Sequence, residues 1–325
     1  MERYTILEPS APEIDDAPEL LPNIVLATDR QTAEVVAIKR LEIVADKATC
    51  RVDEHVAMER RIHKHVKKVG GHTNVLRLRD SFQMQGVEHL VTDHCARGSL
   101  FDVLKATTDK RFDVATGLMY VGQIADGLVF LRSLGYAHCD LSLENILVDE
   151  TNTCKLCDFG HAADASVKQT AVVGKYFYMA PELYDGRGYD ASQTDVWSLG
   201  ILLFIMVTGV APFRQARVLD DHFELFKQRG LAALCDHLSV NQLIPDDVFD
   251  LLDAMLQIHP STRATIKDVV AAVGHSNQRH SDVSSATSEP TSPTHPIMRR
   301  KLSMFQKVLD PFKASFQRSK YRSTF

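Results

Sequence analysis

The feature that most constrains this chain is a pair of short motifs at a fixed distance from each other. Residues 138–145 read HCDLSLEN, and thirteen residues past Asn145 comes Asp158, the first residue of the tripeptide DFG. Magnesium-dependent phosphoryl transfer needs a carboxylate for the incoming hydroxyl group, and an amide and a second carboxylate for the metal ion. Asp140, Asn145 and Asp158 supply these groups in that order. Either motif alone is a weak signal, whereas both together, followed by MAPE at 179–182, form a specific pattern.

The composition is that of an ordinary globular protein and excludes several classes. Of the 325 residues, 45% are apolar and 24% are charged, which is typical of folded domains. The net charge of −5 and the pI near 6.3 do not indicate a protein that binds nucleic acid. Six cysteines in a chain of this length do not form a disulfide scaffold, and the first residues lack a signal-peptide pattern. We therefore expect a cytoplasmic protein, with the nucleus as the alternative.

One apolar stretch resembles a membrane span in composition. Residues 196–213 are almost all apolar, but the stretch is preceded by Asp195 and contains Gly209 and Pro212 near its end. A membrane-spanning helix needs about 20 apolar residues, whereas a helix that is apolar on all sides also occurs in the core of a large protein. We predict a buried core helix here, and no transmembrane helix.

The order of strand-like and helical patterns predicts an α+β protein with two lobes. Residues 24–41 alternate around a turn, residues 51–69 are charged with a helical pattern, and strand-like runs follow at 75–83 and 87–93. After Gly98 the pattern is mostly helical. We therefore expect an acidic, proline-containing segment, a β-rich N-lobe with one main helix, a larger helical C-lobe, a flexible Ser/Thr/Pro-rich linker and a basic amphipathic tail. The predicted bounds of these five parts are 1–22, 23–94, 95–273, 274–298 and 299–325.

Taken together, these motifs resemble those of the eukaryotic protein kinase family, most closely its serine/threonine kinases. The resemblance covers roughly residues 22–272 and includes VAIK at 36–39. It implies the two-lobed protein-kinase fold, a small N-lobe on a larger C-lobe. It also implies transfer of the γ-phosphoryl group of Mg²⁺-bound ATP to hydroxyl groups of protein substrates. The sequence LEN at 143–145 and the ending YMAPE favour the serine/threonine type over the tyrosine type.

The resemblance assigns roles to the polar residues of the pattern. Lys39 matches the lysine that holds the α- and β-phosphates of ATP, and Glu59 matches its carboxylate partner. Glu54 is a rival on the same predicted helix, but Glu59 fits the family's offset better. Asp140 matches the catalytic base. The resemblance also assigns two ligands of the Mg²⁺ ion, Asn145 and Asp158, whose oxygen atoms suit a hard cation.

The adenine ring of ATP is expected next to the segment LVTDHC at 90–95. The resemblance makes Thr92 the gatekeeper and places the backbone of Asp93 and Cys95 beside the ring. It also places three apolar side chains around the ring, those of Ile24, Ala37 and Leu147.

Two further groups follow from the resemblance. The positions of the family's regulatory stack are held by His63, Leu78, His138 and Phe159. The positions of the ion pair that anchors the substrate-side loop to the C-lobe are held by Glu182 and Arg263. We interpret this ion pair as structural, because removing one partner of a buried pair costs about 3–5 kcal/mol.

The largest departure from the family pattern concerns the loop that contacts the phosphates. The family has GxGxxG there, but the matching window, 17–22, reads APELLP, and Gly70 is the first glycine of the chain. Glycine lets backbone N–H groups approach phosphate oxygens, and Pro22 has no N–H group. Three explanations are open: an enzyme with weak ATP binding, a pseudokinase, or a mis-assigned start that lost the loop.

A second departure lies inside the catalytic loop. Cys139 stands where the family has an arginine that binds a phosphate group on the activation loop, and a thiol cannot form that bidentate contact. We predict that activity does not depend on phosphorylation of the activation loop, for example at Thr170, in the usual way.

A third departure consists of two changes. Serine/threonine kinases have a lysine two residues after the catalytic aspartate and a threonine beside the glycine that precedes YMAPE. Here these positions hold Ser142 and Lys175. We predict a swap, in which Lys175 brings the cation to the transferred phosphate from the other side and Ser142 takes the place of the hydroxyl group. The alternative is that the changes are unrelated and that Lys175 is solvated.

The tail differs in charge from the rest of the chain. The last thirty residues contain eight Lys or Arg residues and one acid, Asp310. Apolar residues at near-helical spacing lie among them, so residues 299–325 could bind an anionic membrane, a calmodulin-like partner or the acidic catalytic body itself. Pro311 interrupts the helical pattern, and a solvated, disordered tail is the alternative.

Two functions from different classes fit the sequence. Retention of the catalytic and metal-binding residues favours an active serine/threonine kinase. The glycine-free window favours a pseudokinase that acts as a binding scaffold with weak or no ATP turnover. Transfer to a small-molecule hydroxyl group is disfavoured, because the MAPE segment and Arg263 match kinases that hold protein substrates.

Overall fold

The computed structural model of the chain describes residues 3–7, 22–42 and 54–284, except for the side chains of 275 and 277–284. All residues predicted for catalysis and for the nucleotide site belong to this part. Three predicted parts lie outside the described residues. They are the glycine-free window apart from its last residue, the second half of the linker and the whole basic tail.

The N-lobe is an antiparallel sheet with the strand order β1-β2-β3-β5-β4. Alternation is clearest in β3, where Val36 and Ile38 are buried and their neighbours are more exposed, as expected for a strand with one covered face. Gln85 and Gly86, with φ of 52° and 78°, join β4 to β5, and two positive φ values are typical of a tight hairpin turn. The strands are β1 Tyr4–Ile6, β2 Ile24–Asp29, β3 Val35–Glu42, β4 Leu78–Met84 and β5 Val87–Asp93.

Strand β1 lies within the segment predicted for residues 1–22. It pairs with β2, with Tyr4 opposite Asp29. Arg3 donates two hydrogen bonds to the Asp29 carboxylate, at 2.9 and 2.6 Å, and the Tyr4 hydroxyl donates to Asp80 at 3.0 Å.

One helix, α1 Glu54–Lys68, packs against the sheet and ends at two glycines. Gly70 and Gly71 have φ of 98° and 83°, the left-handed conformation in which glycine ends helices. The buried residues of α1 recur at helical spacing and include two polar side chains. They are Val56, Glu59, Ile62, His63 and Val66.

The C-lobe consists mainly of helices. They are α2 Leu100–Ala106, α3 Val114–Ser133, α4 Ala191–Thr208, α5 Asp221–Leu238 with a kink at Gly230, α6 Asp246–Met255 and α7 Ile266–Ser284. Helices α2 to α5 each follow a residue whose side-chain oxygen accepts a hydrogen bond from the first turn, which stabilises a helix start by about 1 kcal/mol. These capping residues are Ser99, Asp113, Asp190 and Asp220. Two short antiparallel pairs lie beneath the N-lobe: β6 Tyr136–Ala137 with β9 Ala163–Asp164, and β7 Ile146–Val148 with β8 Cys154–Leu156.

Helix α4 forms the centre of the C-lobe core. Within this helix 94% of the residues are buried, which confirms the predicted core helix. Gly200 allows close packing, since a Cβ atom there would come within 2.9 Å of the Leu256 side chain. Helix α3 is also long and apolar enough to cross a membrane, but half of it is buried within the same core. Helix α7 packs on α3 and continues to Ser284, past the predicted end of the C-lobe at residue 273.

Candidate active site

The loop that carries Asp140 is fixed by the first turns of α4. Asp195 accepts hydrogen bonds from the backbone N–H groups of His138 at 2.7 Å and Cys139 at 2.8 Å. These charge-assisted bonds hold Cys139 at φ 63°, a left-handed conformation that is uncommon for residues other than glycine. Sequence reasoning did not assign this role to Asp195, although an acid near the start of an apolar helix was a usable signal.

Asp140 and Asn145 contact each other directly. The Asn145 amide nitrogen donates to the Asp140 backbone oxygen at 2.7 Å and to Asp140 Oδ2 at 2.8 Å. Within the described part of the chain, Asp140 Oδ1 is buried and has no hydrogen-bond partner. Burial raises the pKa of Asp140 to about 6, although the nearby cation of Lys175 lowers it. A buried, unpartnered carboxylate oxygen can accept a proton from a hydroxyl group placed beside it.

Lys39 connects the N-lobe helix to the DFG motif. Its Nζ lies 2.6 Å from Glu59 Oε1 and 3.0 Å from Asp158 Oδ1. Burial lowers the pKa of Lys39, but the charges of the two carboxylates outweigh burial and raise it above its ordinary value. Burial raises the pKa of Asp158, whereas the charge of Lys39 and its hydrogen bond lower it, to about 2. Both groups are therefore ionised at neutral pH.

The structure pairs Lys39 with Glu59 rather than with the rival Glu54. Glu59 is buried on the inner face of α1, whereas Glu54 is exposed in its first turn. The offset between lysine and glutamate that the resemblance implied therefore holds in this chain.

Three of the four residues predicted for the regulatory stack pack together and connect α1 to the DFG motif. The ring of Phe159 packs edge-on against His63, with centroids 5.0 Å apart, and against His138, with centroids 5.5 Å apart. Burial lowers the pKa of His63 to about 3 and that of His138 to about 4. Both rings are therefore neutral and pack as apolar groups. His55 adds a contact of 2.9 Å from Nδ1 to the Gly160 carbonyl oxygen.

The residues predicted to surround adenine lie on strands of both lobes. Thr92 lies opposite Ala37 in the ladder between β3 and β5, and its hydroxyl group is 3.5 Å from the Ala37 carbonyl oxygen. Ile24 lies opposite Lys39 on β2, and Leu147 lies in the middle of β7. The side chains of Ile24, Ala37 and Leu147 are partly exposed rather than buried. Such partial exposure is expected of apolar walls that a ligand covers.

The hinge after β5 is held by ion pairs. The Asp93 carboxylate contacts Arg77 at 3.0 Å and also binds Arg79. Because these arginines engage the Asp93 side chain, contact with a base at this position would come from the backbone, as the resemblance implies. Cys95, the second predicted hinge residue, is buried.

The two residues of the predicted swap meet. Lys175 Nζ donates to Ser142 Oγ at 2.8 Å and to Glu144 Oε2 at 3.0 Å. Ser142 is fully buried and Lys175 is partly buried, which disagrees with a solvated lysine. Sequence reasoning missed Glu144, because its partner lies 31 residues further along the chain and nothing local marks the contact.

The sequence model of the protein kinase domain family matches residues 22–273 of this chain. This chain belongs to the protein kinase family. The predicted family and the predicted two-lobed α+β fold are thereby confirmed.

Curated relatives include several kinases of similar sequence. An Aurora kinase of Yarrowia lipolytica is 30% identical over 76% of this chain and 62% of its own length. A maternal embryonic leucine zipper kinase of Danio rerio is 32% identical over 75% of this chain and 34% of its own length. A probable serine/threonine-protein kinase of Zea mays is 28% identical over 73% of this chain and 38% of its own length. The chain thus spans less than two thirds of the length of these relatives.

The ion pair predicted in this kinase domain forms with bidentate geometry. Arg263 NH1 and NH2 lie 2.7 and 2.9 Å from the two carboxylate oxygens of Glu182, and the guanidinium group stacks over Trp197 at 5.1 Å from the ring centroid. The contact joins the end of the activation segment to the C-lobe core, as the resemblance implied.

The activation segment of the kinase domain is tied to the C-lobe through its backbone. Gln169 and Tyr189 exchange two backbone hydrogen bonds of 2.9 Å, and the Tyr189 hydroxyl donates to the Ala171 carbonyl oxygen at 2.5 Å. Thr170 lies between these contacts and is exposed. These contacts tie residues 169–171 to Tyr189, two residues before α4 begins.

Proposed function

We propose that this chain is a serine/threonine protein kinase that transfers the γ-phosphoryl group of Mg²⁺-bound ATP to hydroxyl groups of protein substrates. One observation supports the proposal. The candidate residues contact each other in pairs, Lys39 with Asp158 and Asn145 with Asp140. Within the described residues, Asp140 also has a buried oxygen atom with no hydrogen-bond partner. The names of the relatives, which are kinases, support the same reaction class.

The side chains present fit a magnesium–nucleotide complex. No group of three or more His, Cys, Asp or Glu side chains within the described residues is placed to hold a metal ion. Mg²⁺ is ordinarily bound by one or two carboxylates together with nucleotide phosphates, so Asp158 and Asn145 suit it. The Asn145 nitrogen donates to Asp140, and Oδ1 is therefore the atom with which Asn145 would ligate the cation. The bound metal would neutralise charge on the phosphates.

The remaining side chains position the reactants. Lys39 would bind the α- and β-phosphates while Glu59 and Asp158 hold its ammonium group in place. Ile24, Ala37 and Leu147 would enclose the adenine ring, with hinge backbone at one edge. This positioning matters because phosphoryl transfer is catalysed mainly by orientation and by electrostatic stabilisation.

Asp140 is suited to the proton transfer. Its Oδ1 would accept the hydrogen bond of the incoming serine or threonine hydroxyl group. As the oxygen bonds to the γ-phosphorus and the bond to the β-phosphate oxygen breaks, the hydroxyl proton passes to the carboxylate. Its pKa of about 6 leaves Asp140 ionised at neutral pH and basic enough to take that proton.

The second candidate function is a pseudokinase that acts as a binding scaffold. The window 17–22 favours it, because a loop without glycine and with proline at its end offers fewer N–H groups to phosphates. Losing one or two charge-assisted hydrogen bonds of about 1.5–3 kcal/mol each weakens ATP binding roughly tenfold to thousandfold. Such a loss slows turnover at low ATP without removing the catalytic groups.

A transfer assay separates the two functions. The full chain is incubated with γ-labelled ATP at millimolar concentration, Mg²⁺ and a mixture of protein substrates, and the labelled amino acids are identified. We expect label on serine and threonine, and a loss of about 10²–10⁴-fold in Asp140→Asn. Glu150→Gln, an exposed acid outside the site, serves as the matched control and should retain activity. Binding of ATP without any transfer would favour the scaffold.

Cytoplasmic or nuclear location stays a prediction, as do the membrane, calmodulin-like and intramolecular partners of the basic tail. The tail lies outside the described residues. Deleting residues 297–325 and measuring kinase activity tests the intramolecular partner, and unchanged activity would exclude autoinhibition by the tail.

A further inference from the structure

The positive charge of the catalytic loop is supplied by another segment in this chain. Two residues after Asp140, buried Ser142 carries a neutral hydroxyl group. The cation that contacts this hydroxyl group belongs to Lys175, at a distance of 2.8 Å. The loop therefore contains the acids Asp140 and Glu144, and the cation that contacts it is Lys175 of the activation segment.

The backbone at Gly174 brings Lys175 to this place. Gly174 has φ +100°, and a Cβ atom there would lie 2.9 Å from the Cys139 carbonyl oxygen. Only glycine permits this conformation and this approach without strain. The activation segment therefore passes against the backbone of the catalytic loop one residue before Lys175, and the lysine side chain starts beside the site.

Glu144 holds the lysine side chain. It lies in the short 3₁₀ helix Leu143–Asn145, and its Oε2 is 3.0 Å from Lys175 Nζ. Burial lowers the pKa of Lys175, but the charges of Glu144 and Asp140 outweigh burial and raise it. The ammonium group is therefore charged at neutral pH and is held between a carboxylate and a hydroxyl group.

We propose that Lys175 is a catalytic cation that contacts the transferred phosphoryl group, and that Glu144 is the positioning residue that holds it there. The inference rests on the proposed kinase function. An ammonium group has three N–H donors, and a charged phosphoryl oxygen is a stronger acceptor than the Ser142 hydroxyl group. Lys175 exchanges the hydroxyl group for a phosphoryl oxygen when nucleotide binds, and stabilises the negative charge that the phosphoryl group carries between leaving and attacking oxygens.

The test removes the positive charge of Lys175 and then restores a positive charge in the catalytic loop, at position 142. In Lys175→Met we expect kcat to fall about 10²–10³-fold, the cost of removing one preorganised donor to a transition-state oxygen, with the KM for ATP nearly unchanged. Lys175→Arg, which keeps the charge, should retain part of kcat. Ser142→Lys/Lys175→Thr rebuilds the arrangement of other serine/threonine kinases and should recover at least about tenfold over Lys175→Thr alone. Lys168→Met, on an exposed lysine of the same segment, is the matched control.

Each other result counts against the inference. If Lys175→Met retains more than about a third of wild-type kcat while the wild type is active, the inference is wrong and the proposed function stands. A loss in Lys175→Met that neither the arginine variant nor the double variant relieves contradicts an electrostatic role. Loss of Mg²⁺-dependent ATP binding in Lys175→Met also contradicts it, because the effect should be confined to the transferred group. An inactive wild type overturns the proposed function and this inference together.

Discussion

Two lysine–glutamate pairs, one in each lobe, differ in burial. Lys39 and Glu59 in the N-lobe are 2.6 Å apart, and their side chains are 17% and 4% exposed. Lys175 and Glu144 in the C-lobe are 3.0 Å apart, with exposures of 23% and 20%. The first pair joins a strand to a helix and continues to Asp158. The second joins the catalytic loop to the activation segment.

This difference indicates which function each pair can have. A carboxylate removed from water depends strongly on its partner, whereas a partly exposed one is compensated by solvent. The N-lobe pair is therefore suited to fix a helix relative to the sheet and to hold a phosphate-binding lysine in one position. The C-lobe pair is suited to hold a cation that moves to a reacting group. The size of a mutational effect should therefore follow the burial of the ion pair that is broken.

The largest effect is expected from the buried ion pair of the C-lobe. Glu182 and Arg263 have side chains that are 9% and 0% exposed. Arg263→Ala leaves a buried carboxylate unpaired, and we expect the free energy of unfolding to fall by about 3–5 kcal/mol. Urea unfolding followed by circular dichroism measures this. A loss below about 1 kcal/mol, as for an exposed pair, would show that burial does not set the size of these effects.

Removing the charge of Glu59 is expected to give the next largest effect. Glu59→Gln weakens the ion pair that orients Lys39, a loss of about 1.5–3 kcal/mol for a bond to a charged group, or about 10- to 150-fold in kcat/KM for ATP. The KM for ATP should rise, because Lys39 binds phosphates. Glu54→Gln, on the exposed first turn of the same helix, is the control. Equal effects of the two variants would contradict the assignment of Glu59.

The matching change in the C-lobe should be weaker and should affect a different constant. Glu144→Gln frees Lys175 from a partly exposed pair, worth about 1 kcal/mol at most, and we expect kcat to fall about fivefold with the KM for ATP unchanged. Steady-state kinetics on this variant and on Glu59→Gln can be compared directly. A rise in KM for Glu144→Gln, or an effect larger than that of Glu59→Gln, would reverse the roles assigned to the two pairs.

The smallest effect is expected from Thr170→Ala. Cys139 cannot bind a phosphate group as arginine does, and backbone bonds between Gln169 and Tyr189 already hold the activation segment. Activity should therefore change less than about twofold, a difference of under 0.5 kcal/mol. Tyr189→Phe, which removes the hydroxyl contact to Ala171, should lower activity more than Thr170→Ala does. A near-total loss in Thr170→Ala would show that phosphorylation orders this segment.

Residues that lie in short motifs could be identified from the sequence. Four such residues are Lys39, Asp140, Asn145 and Asp158. The structure brings Lys39 into contact with Asp158 and Asn145 into contact with Asp140. The central helix α4 was predictable because an apolar run without charges can only be buried or in lipid.

The contacts that the sequence did not reveal join distant segments. Strand β1 has three residues in an acidic segment, and such a strand is stabilised by pairing with β2 rather than by its own pattern. In the sequence, nothing distinguishes Glu144 from other acidic residues in loops. Its contact with Lys175 of the activation segment is visible only in the structure. The position of Asp195 near the start of an apolar helix marks it in the sequence, but its two backbone partners, His138 and Cys139, lie more than 50 residues earlier in the chain.

We expect Lys39, Asn145 and Asp158 to bind a magnesium–nucleotide complex. The thermal stability of the full chain, titrated with ATP with and without millimolar Mg²⁺ in the wild type and in Asp158→Asn, tests this binding. We predict that ATP raises the melting temperature of the wild type only when Mg²⁺ is present, and that Asp158→Asn removes this dependence. A wild type whose melting temperature ignores ATP at millimolar Mg²⁺ would contradict this expectation.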